Sequence, residues 1–229
     1  MNISSSDQTL WLSHPWGPSC PAYGNGSKIE IIVAQSMDSG ASSNSLRFSS
    51  GNHIGTHMDA PKHFVKAGRS IDTYSPRELI FLSPIVLDVN LDITKRHVGV
   101  AELKGAIKHD QKEFENCDIL LLRTGAESYR NLEKYWQDGP GIDVGVADFL
   151  RENAPKCRAI GIDSISITAF SDREKGRKVH RELLDHKNPI ILFEDMALAK
   201  AIHLKSLVVA PLRIESADGA PVTIIGILK

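Results

Sequence analysis

Cysteine is scarce in this chain, with three residues among 229, at positions 20, 117 and 157. An odd number, widely spaced and without a CxxC pair, argues against a disulfide framework and against a thiolate zinc site. It suits a reducing cytoplasm. Aromatics make up only 6% of the chain and nowhere interleave with a basic run, and the formal net charge is −1. Neither a nucleic-acid partner nor an anionic membrane surface is therefore expected. No apolar run approaches the length of a membrane span. The opening MNISSSDQTL lacks the basic and apolar regions of a secretory leader. GxSxG, HExxH, P-loop and dinucleotide fingerprints are all missing, which argues against serine hydrolases and nucleotide enzymes.

What is present is ordinary for a globular protein, 41% apolar and 24% charged residues. The length allows one domain with a sizeable core. No linker, repeat or low-complexity tract divides it, so residues 1–229 read as a single domain.

One stretch stands out, Gly51 to Phe64, reading GNHIGTHMDAPKHF. His53, His57, Asp59 and His63 share one parity, so an extended chain points them to one face. A helix fits poorly, because it would swing Asp59 away from the histidines and would be weakened by Gly55 and Pro61. Fully extended, His53 and His57 would stand roughly 13 Å apart, too far for one ion. A bend at Gly55, the residue that tolerates unusual backbone angles, removes that difficulty. Two imidazoles and a carboxylate then converge, a donor set suited to zinc or manganese.

Around this motif the pattern alternates strands and helices. Strands are expected over 28–35, 45–50, 85–89, 118–123, 158–162, 189–193, 207–214 and 222–228, the last two as an antiparallel hairpin turning at Asp218-Gly219. Ser75-Pro76-Arg77-Glu78 reads as a capping box with proline at the first helical position. Helices are expected over 98–109, from an Asp143 cap to Asn153 with Val144, Ala147, Phe149 and Leu150 inward, over 179–186 and over 196–202. Residues 1–26, 128–141 and 172–178 read as irregular, surface or flexible. The whole is α/β, a mixed β-sheet with flanking helices.

Other residues carry two open readings. Glu194 ends an apolar strand, where it is either a solvated terminus or a paired functional acid. His180, just beyond the charged stretch, is the other candidate donor. Asp163 reads as a turn former, and Thr56 as a group orienting the motif. Trp16 and Tyr23 either cover the domain or wall a pocket. His14, His97, His109, His186 and His203 read as solvated.

HIGTHMDAPKHF resembles the signature HxGTHxDxPxHF of the cyclase/kynurenine formamidase family of metal-dependent hydrolases, with every fixed position present. LSHP near residue 13, LLLRTG at 120–125, GID at 161–163, His180 and Glu194 extend the likeness over most of the chain. The resemblance implies a swivelling β/α/β-type domain and a homo-oligomer, a dimer or tetramer. It implies that His53, His57 and Asp59 bind one divalent ion and that Asp59, His180 and Glu194 hold a second. It makes His63 the general acid/base. The segment SISITAF after GID and the spacing from His180 to Glu194 depart from the formamidase pattern. The expected activity is metal-dependent amide hydrolysis in the cytoplasm, with N-formylkynurenine or a related aryl formamide as substrate and Trp16 stacking on the aryl ring. Alternatives are another cyclic amide such as isatin, a lactone or an ester, or a metal-binding protein without turnover.

Overall fold

The computed structural model describes residues 8–89, 91, 96–108 and 110–229. His109 and the first seven residues lie outside them. The chain begins with β1 (Thr9–Trp11), β2 (Glu30–Gln35), β3 (Ser45–Ser49) and β4 (His57–Asp59). It continues through β5 (Ile80–Phe81), β6 (Pro84–Asp88), β7 (His97–Val98), α1 (Val100–Ile107), α2 (Gln111–Asn116) and β8 (Ile119–Arg123). Next come α3 (Lys134–Gln137), β9 (Gly141–Ile142), α4 (Val146–Asn153), β10 (Ala159–Ile162) and α5 (Arg173–Leu184). The last elements are β11 (Ile191–Glu194), β12 (Leu204–Pro211) and β13 (Gly219–Leu228).

A mixed sheet of nine strands runs β5-β12-β13-β4-β11-β10-β8-β6, with β1 added on β13. The run β6-β8-β10-β11 is parallel, β4 pairs antiparallel with β11, β13 antiparallel with β4, and β12 antiparallel with β13. The sheet curls until β12 lies beside β6, nearly closing a barrel. Strand β8 is an unbroken apolar run because both of its faces are covered. Leu120 and Leu122 pack with Leu103, Leu150, Val179 and Leu183 under the helices, whereas Ile119 and Leu121 face Met58, Phe81 and Phe193 inside the curl. The strands read from the sequence, the Ser75 capping box and the terminal hairpin thus follow the sequence pattern, whereas Thr9–Trp11, in the stretch read as irregular, forms β1 because it pairs with β13. No helix of the described residues is long and apolar enough to cross a membrane.

Several expectations are corrected. Residues 196–202 form no helix. Their Met-Ala-Leu-Ala composition favours one, but the amides of Met196 and Ala197 donate to Ile162 and Leu12 instead. The charged stretch at 172–178 is the cap and first half of α5, where the Asp172 carboxylate accepts from the Lys175 amide at 3.2 Å. Helix α4 starts after Gly145, at φ +82°, so Val146 is buried and Val144 is exposed. The supposed surface excursion at 128–141 buries Tyr135, whose hydroxyl donates to Asp195 at 2.6 Å. His14 and His97 are half-buried rather than solvated.

Gly161 sits in β10 where a side chain would strike Met196 and approach Leu121 to 2.6 Å. Gly161→Ala is expected to lower unfolding stability by about 1–3 kcal/mol through overpacking. Denaturant titration checks this, and an unchanged midpoint would show that Met196 yields freely.

Candidate metal centre

Strand β4 is only three residues long, yet it is held on both edges. It pairs with β11 in the register His57↔Glu194 and Leu192↔Asp59, and with β13 in the register Asp59↔Gly219. Met58 therefore points into the curl, while His57 and Asp59 point to the helical side beside Glu194. The chain enters β4 through Gly55, which adopts φ +74°, so the bend falls where the pattern required it. Thr56 fixes this entry, accepting from the His14 amide at 3.0 Å and donating to the Asp195 carbonyl at 2.6 Å. Helix α5 supplies His180. Gly176 lets the helix come close, because a side chain there would collide with Thr168.

The four groups form a closed ring. His57 Nε2 lies 3.4 Å from Asp59 Oδ1 and 3.3 Å from Glu194 Oε2, and His180 Nε2 lies 3.6 Å from both Asp59 Oδ2 and Glu194 Oε1. Tetrahedral ligands placed about 2.0–2.2 Å from zinc stand roughly 3.3–3.6 Å apart, so each neighbouring pair of the ring has ligand spacing, while two sets of three whose donor atoms all lie within 4.8 Å of one another are His53, His57 and Asp59, and Asp59, His63 and His180. The far sides of the rings are engaged. His57 Nδ1 donates to the Gly55 carbonyl and His180 Nδ1 to the Gly176 carbonyl, both at 2.8 Å. That bond fixes the tautomer and aims Nε2 at the centre. Glu194 also accepts from the Ile167 amide at 2.7 Å and the Ser166 hydroxyl at 3.0 Å.

His53 and His63 line the open side. Their rings stack with centroids 4.0 Å apart. His53 Nδ1 is 2.8 Å from Asp59 Oδ1, and the donor atoms of His53, His57 and Asp59 all lie within 4.8 Å of one another. Asp218 was legible only as a turn, yet its Oδ2 bonds His63 Nδ1 at 2.7 Å and His53 Nε2 at 3.0 Å. Nothing in the local sequence marks it, because an Asp-Gly pair at a hairpin is ordinary turn chemistry. The close packing of His53 against β13 requires Gly219, where a side chain would strike the imidazole.

The cavity, about 310 Å³, is also lined by Tyr23, Phe64, Ile165, Arg173 and Arg177. Trp16 is placed elsewhere. Its indole N–H donates to the Ile54 carbonyl at 3.1 Å, and it lines a separate apolar cavity behind the motif. Asp163 accepts from the Thr124 and Gly125 amides and shapes that turn.

Burial disfavours the charged form of every group in the ring, but mutual attraction outweighs it. The Glu194 and Asp59 carboxylates raise His57 to about 9, and the same pair raises His180 to about 10. Burial and repulsion from Asp59 push Glu194 upward, yet the two histidines bring it down to about 2. Asp59 is held well below its usual range by His180 and His53 against the cost of burial. Near neutral pH the metal-free ring is thus two imidazoliums facing two carboxylates.

The family described as "Putative cyclase" matches residues 10–169. The kynurenine formamidase of Bacillus cereus is 27% identical over 215 residues, spanning 92% of this chain and 93% of its own. Isatin hydrolase A from Labrenzia aggregata, solved with benzyl benzoate, superposes with a TM-score of 0.81 at 19% identity, covering 97% of this chain and 94% of its own. A potential metal-dependent hydrolase with cyclase activity superposes at 0.72 and 18% identity, covering 98% and 99%.

A cation entering the ring needs neutral imidazoles, so it must displace the protons that His57 and His180 hold below about 9 and 10. Metal affinity is expected to rise with pH up to that range, and about two protons to leave as the ring fills at pH 7. Calorimetry in buffers of different ionisation enthalpy measures this release, and no release would contradict the proton-for-metal exchange.

Proposed function

Because the chain belongs to the cyclase family, we propose that it is a metal-dependent amide hydrolase acting on an aryl formamide, with N-formylkynurenine the best candidate. The observation that carries this reading is the buried ring of two imidazoles and two carboxylates at the floor of an open cavity. In this reading His53, His57 and Asp59 hold one divalent ion, zinc or manganese. Asp59, His180 and Glu194 would hold a second. An ion bound there supplies a water of pKa about 7 and polarises the carbonyl under attack.

The chain's own groups do the rest. Asp218 accepts the Nδ1 proton of His63, which leaves Nε2 as the free nitrogen of that ring. His63 Nε2 takes a proton from the attacking water and returns it to the leaving nitrogen, as a general base and then a general acid. Tyr23 and Phe64 line the same cavity and give an aryl group apolar contact. Arg173 and Arg177 stand four residues apart at the mouth of the same cavity, both exposed. Guanidinium groups in that position favour a substrate that carries a carboxylate at its far end. Formylkynurenine combines the aryl formamide and the carboxylate.

His63→Ala is expected to lower kcat on formylkynurenine by about 10²–10⁴-fold while bound metal stays stoichiometric. His57→Ala is expected to lose the metal as well. Elemental analysis beside the assay separates the two, and metal loss in both variants would make His63 a ligand instead of the base. Arg177→Gln is expected to raise KM for formylkynurenine by about tenfold or more and to leave N-formylaniline, which has no carboxylate, unaffected. Equal effects on the two substrates would remove the carboxylate from the reading, and faster turnover of isatin than of either formamide would move the substrate to a cyclic amide.

A further inference from the structure

Two of the three cysteines meet at the end of the sheet away from the metal centre. Cys117 precedes β8 and Cys157 precedes β10, neighbouring parallel strands whose pairing starts at Ile160↔Leu120. One more hydrogen bond, from the Arg158 amide to the Asp118 carbonyl at 3.1 Å, carries the pairing back to the residues that follow the two cysteines. Both side chains enter the core under the helices, as free thiols. Backbones paired in this way run about 4.7–4.9 Å apart, inside the roughly 4.4–6.8 Å between Cα atoms that a disulfide spans. The two thiols are close enough to set each other's acidity. Contact with Cys157 and burial raise Cys117, whereas contact with Cys117 lowers Cys157 against the cost of burial.

The two differ in access. Cys117 is 1% exposed, but Cys157 is 8% exposed and lines a cavity of about 350 Å³. Arg69, Lys156, Arg158 and Lys187 line the same cavity against one carboxylate, Glu78, which Arg69 already holds at 2.7 Å. A partly open thiol among positive groups, with a second thiol behind it, is the setting of a reactive cysteine and its resolving partner.

We propose that Cys157 and Cys117 form a thiol–disulfide exchange site, at which a small anionic disulfide oxidises the pair to a Cys117–Cys157 disulfide. Cys157 loses its proton to solvent and attacks one sulfur of the incoming disulfide, so a mixed disulfide forms and one small thiolate leaves. Cys117 passes its proton to that thiolate and attacks the Cys157 sulfur, displacing the second, which takes a proton back from solvent. Two protein thiols are thus oxidised to one disulfide, and one small disulfide is reduced to two thiols. The new bond closes the loop from 117 to 157 and staples β8 to β10, which favours the folded chain. It lies at the opposite end of these parallel strands from Glu194 and takes up no group of the ring.

Peptide mass mapping of the zinc-loaded wild-type chain, freed of reductant and incubated with glutathione disulfide, tests this without relying on any variant's folding. A Cys117–Cys157 cross-link is expected in the folded chain. No cross-link, one that involves Cys20, or one that forms only in urea overturns the proposal. Cys117→Ser is expected to retain the small thiol on Cys157, and Cys157→Ser to take up none at Cys117; the reverse overturns the order of attack. Cystamine, a cationic disulfide, is expected to react about tenfold or more slowly than glutathione disulfide, each rate taken relative to its rate with free cysteine. Equal relative rates overturn the part given to the basic cavity. The oxidised chain is expected to unfold about 5–10 °C higher than the reduced one, and an equal or lower Tm overturns the staple.

Discussion

Asp59 and Glu194 are buried carboxylates on neighbouring strands, and the architecture around them answers to that fact. Two such groups side by side, out of water, cost several kcal/mol each unless positive charge meets them. The fold brings that charge from elements far apart in the chain, His57 on β4 and His180 on α5. The ring can hold its charge balance with protons or with a cation. That choice ties the stability of the domain to the metal supply, since an ion that binds only the folded form adds to its stability by mass action.

The backbone around the ring is correspondingly specified. A strand as short as β4 keeps its direction only because β11 and β13 clamp it from both sides. Gly55, Gly176 and Gly219 each stand where the backbone must turn sharply or approach a neighbour closely. The Asp195 carboxylate, just past Glu194, is gripped by Arg130 and by the Tyr135 hydroxyl. The floor of the site is thus anchored from below as well as from its rim. Such support holds ligand side chains in place before an ion arrives.

How much of this was legible in the sequence depended on distance along the chain. The motif from His53 to His63 could be read because its donors lie within eleven residues and its glycine and proline mark the bend. His180 and Glu194 stood out only as open candidates at element ends, and likeness to a family was what gave them a ligand role, for single polar residues there carry no decisive local signature. Asp218 could not be found that way, since its partner His63 is 155 residues distant and its surroundings look like any hairpin turn. Trp16, near the motif by likeness of sequence, proved to support the bend from behind. The false helix at 196–202 shows the same limit, because tertiary hydrogen bonds claimed donors that composition alone assigned to a helix.

The order of these pieces along the chain has a consequence for biosynthesis. His53, His57 and Asp59 leave the ribosome first, more than a hundred residues before His180 and Glu194, and the β13 strand that clamps β4 comes last of all. At about 5–20 residues per second the early donors wait several seconds or longer without their partners. A nascent chain can offer only a partial, open grip to any metal it meets. Closure of the complete ring therefore waits until β11 and β13 have emerged to clamp β4.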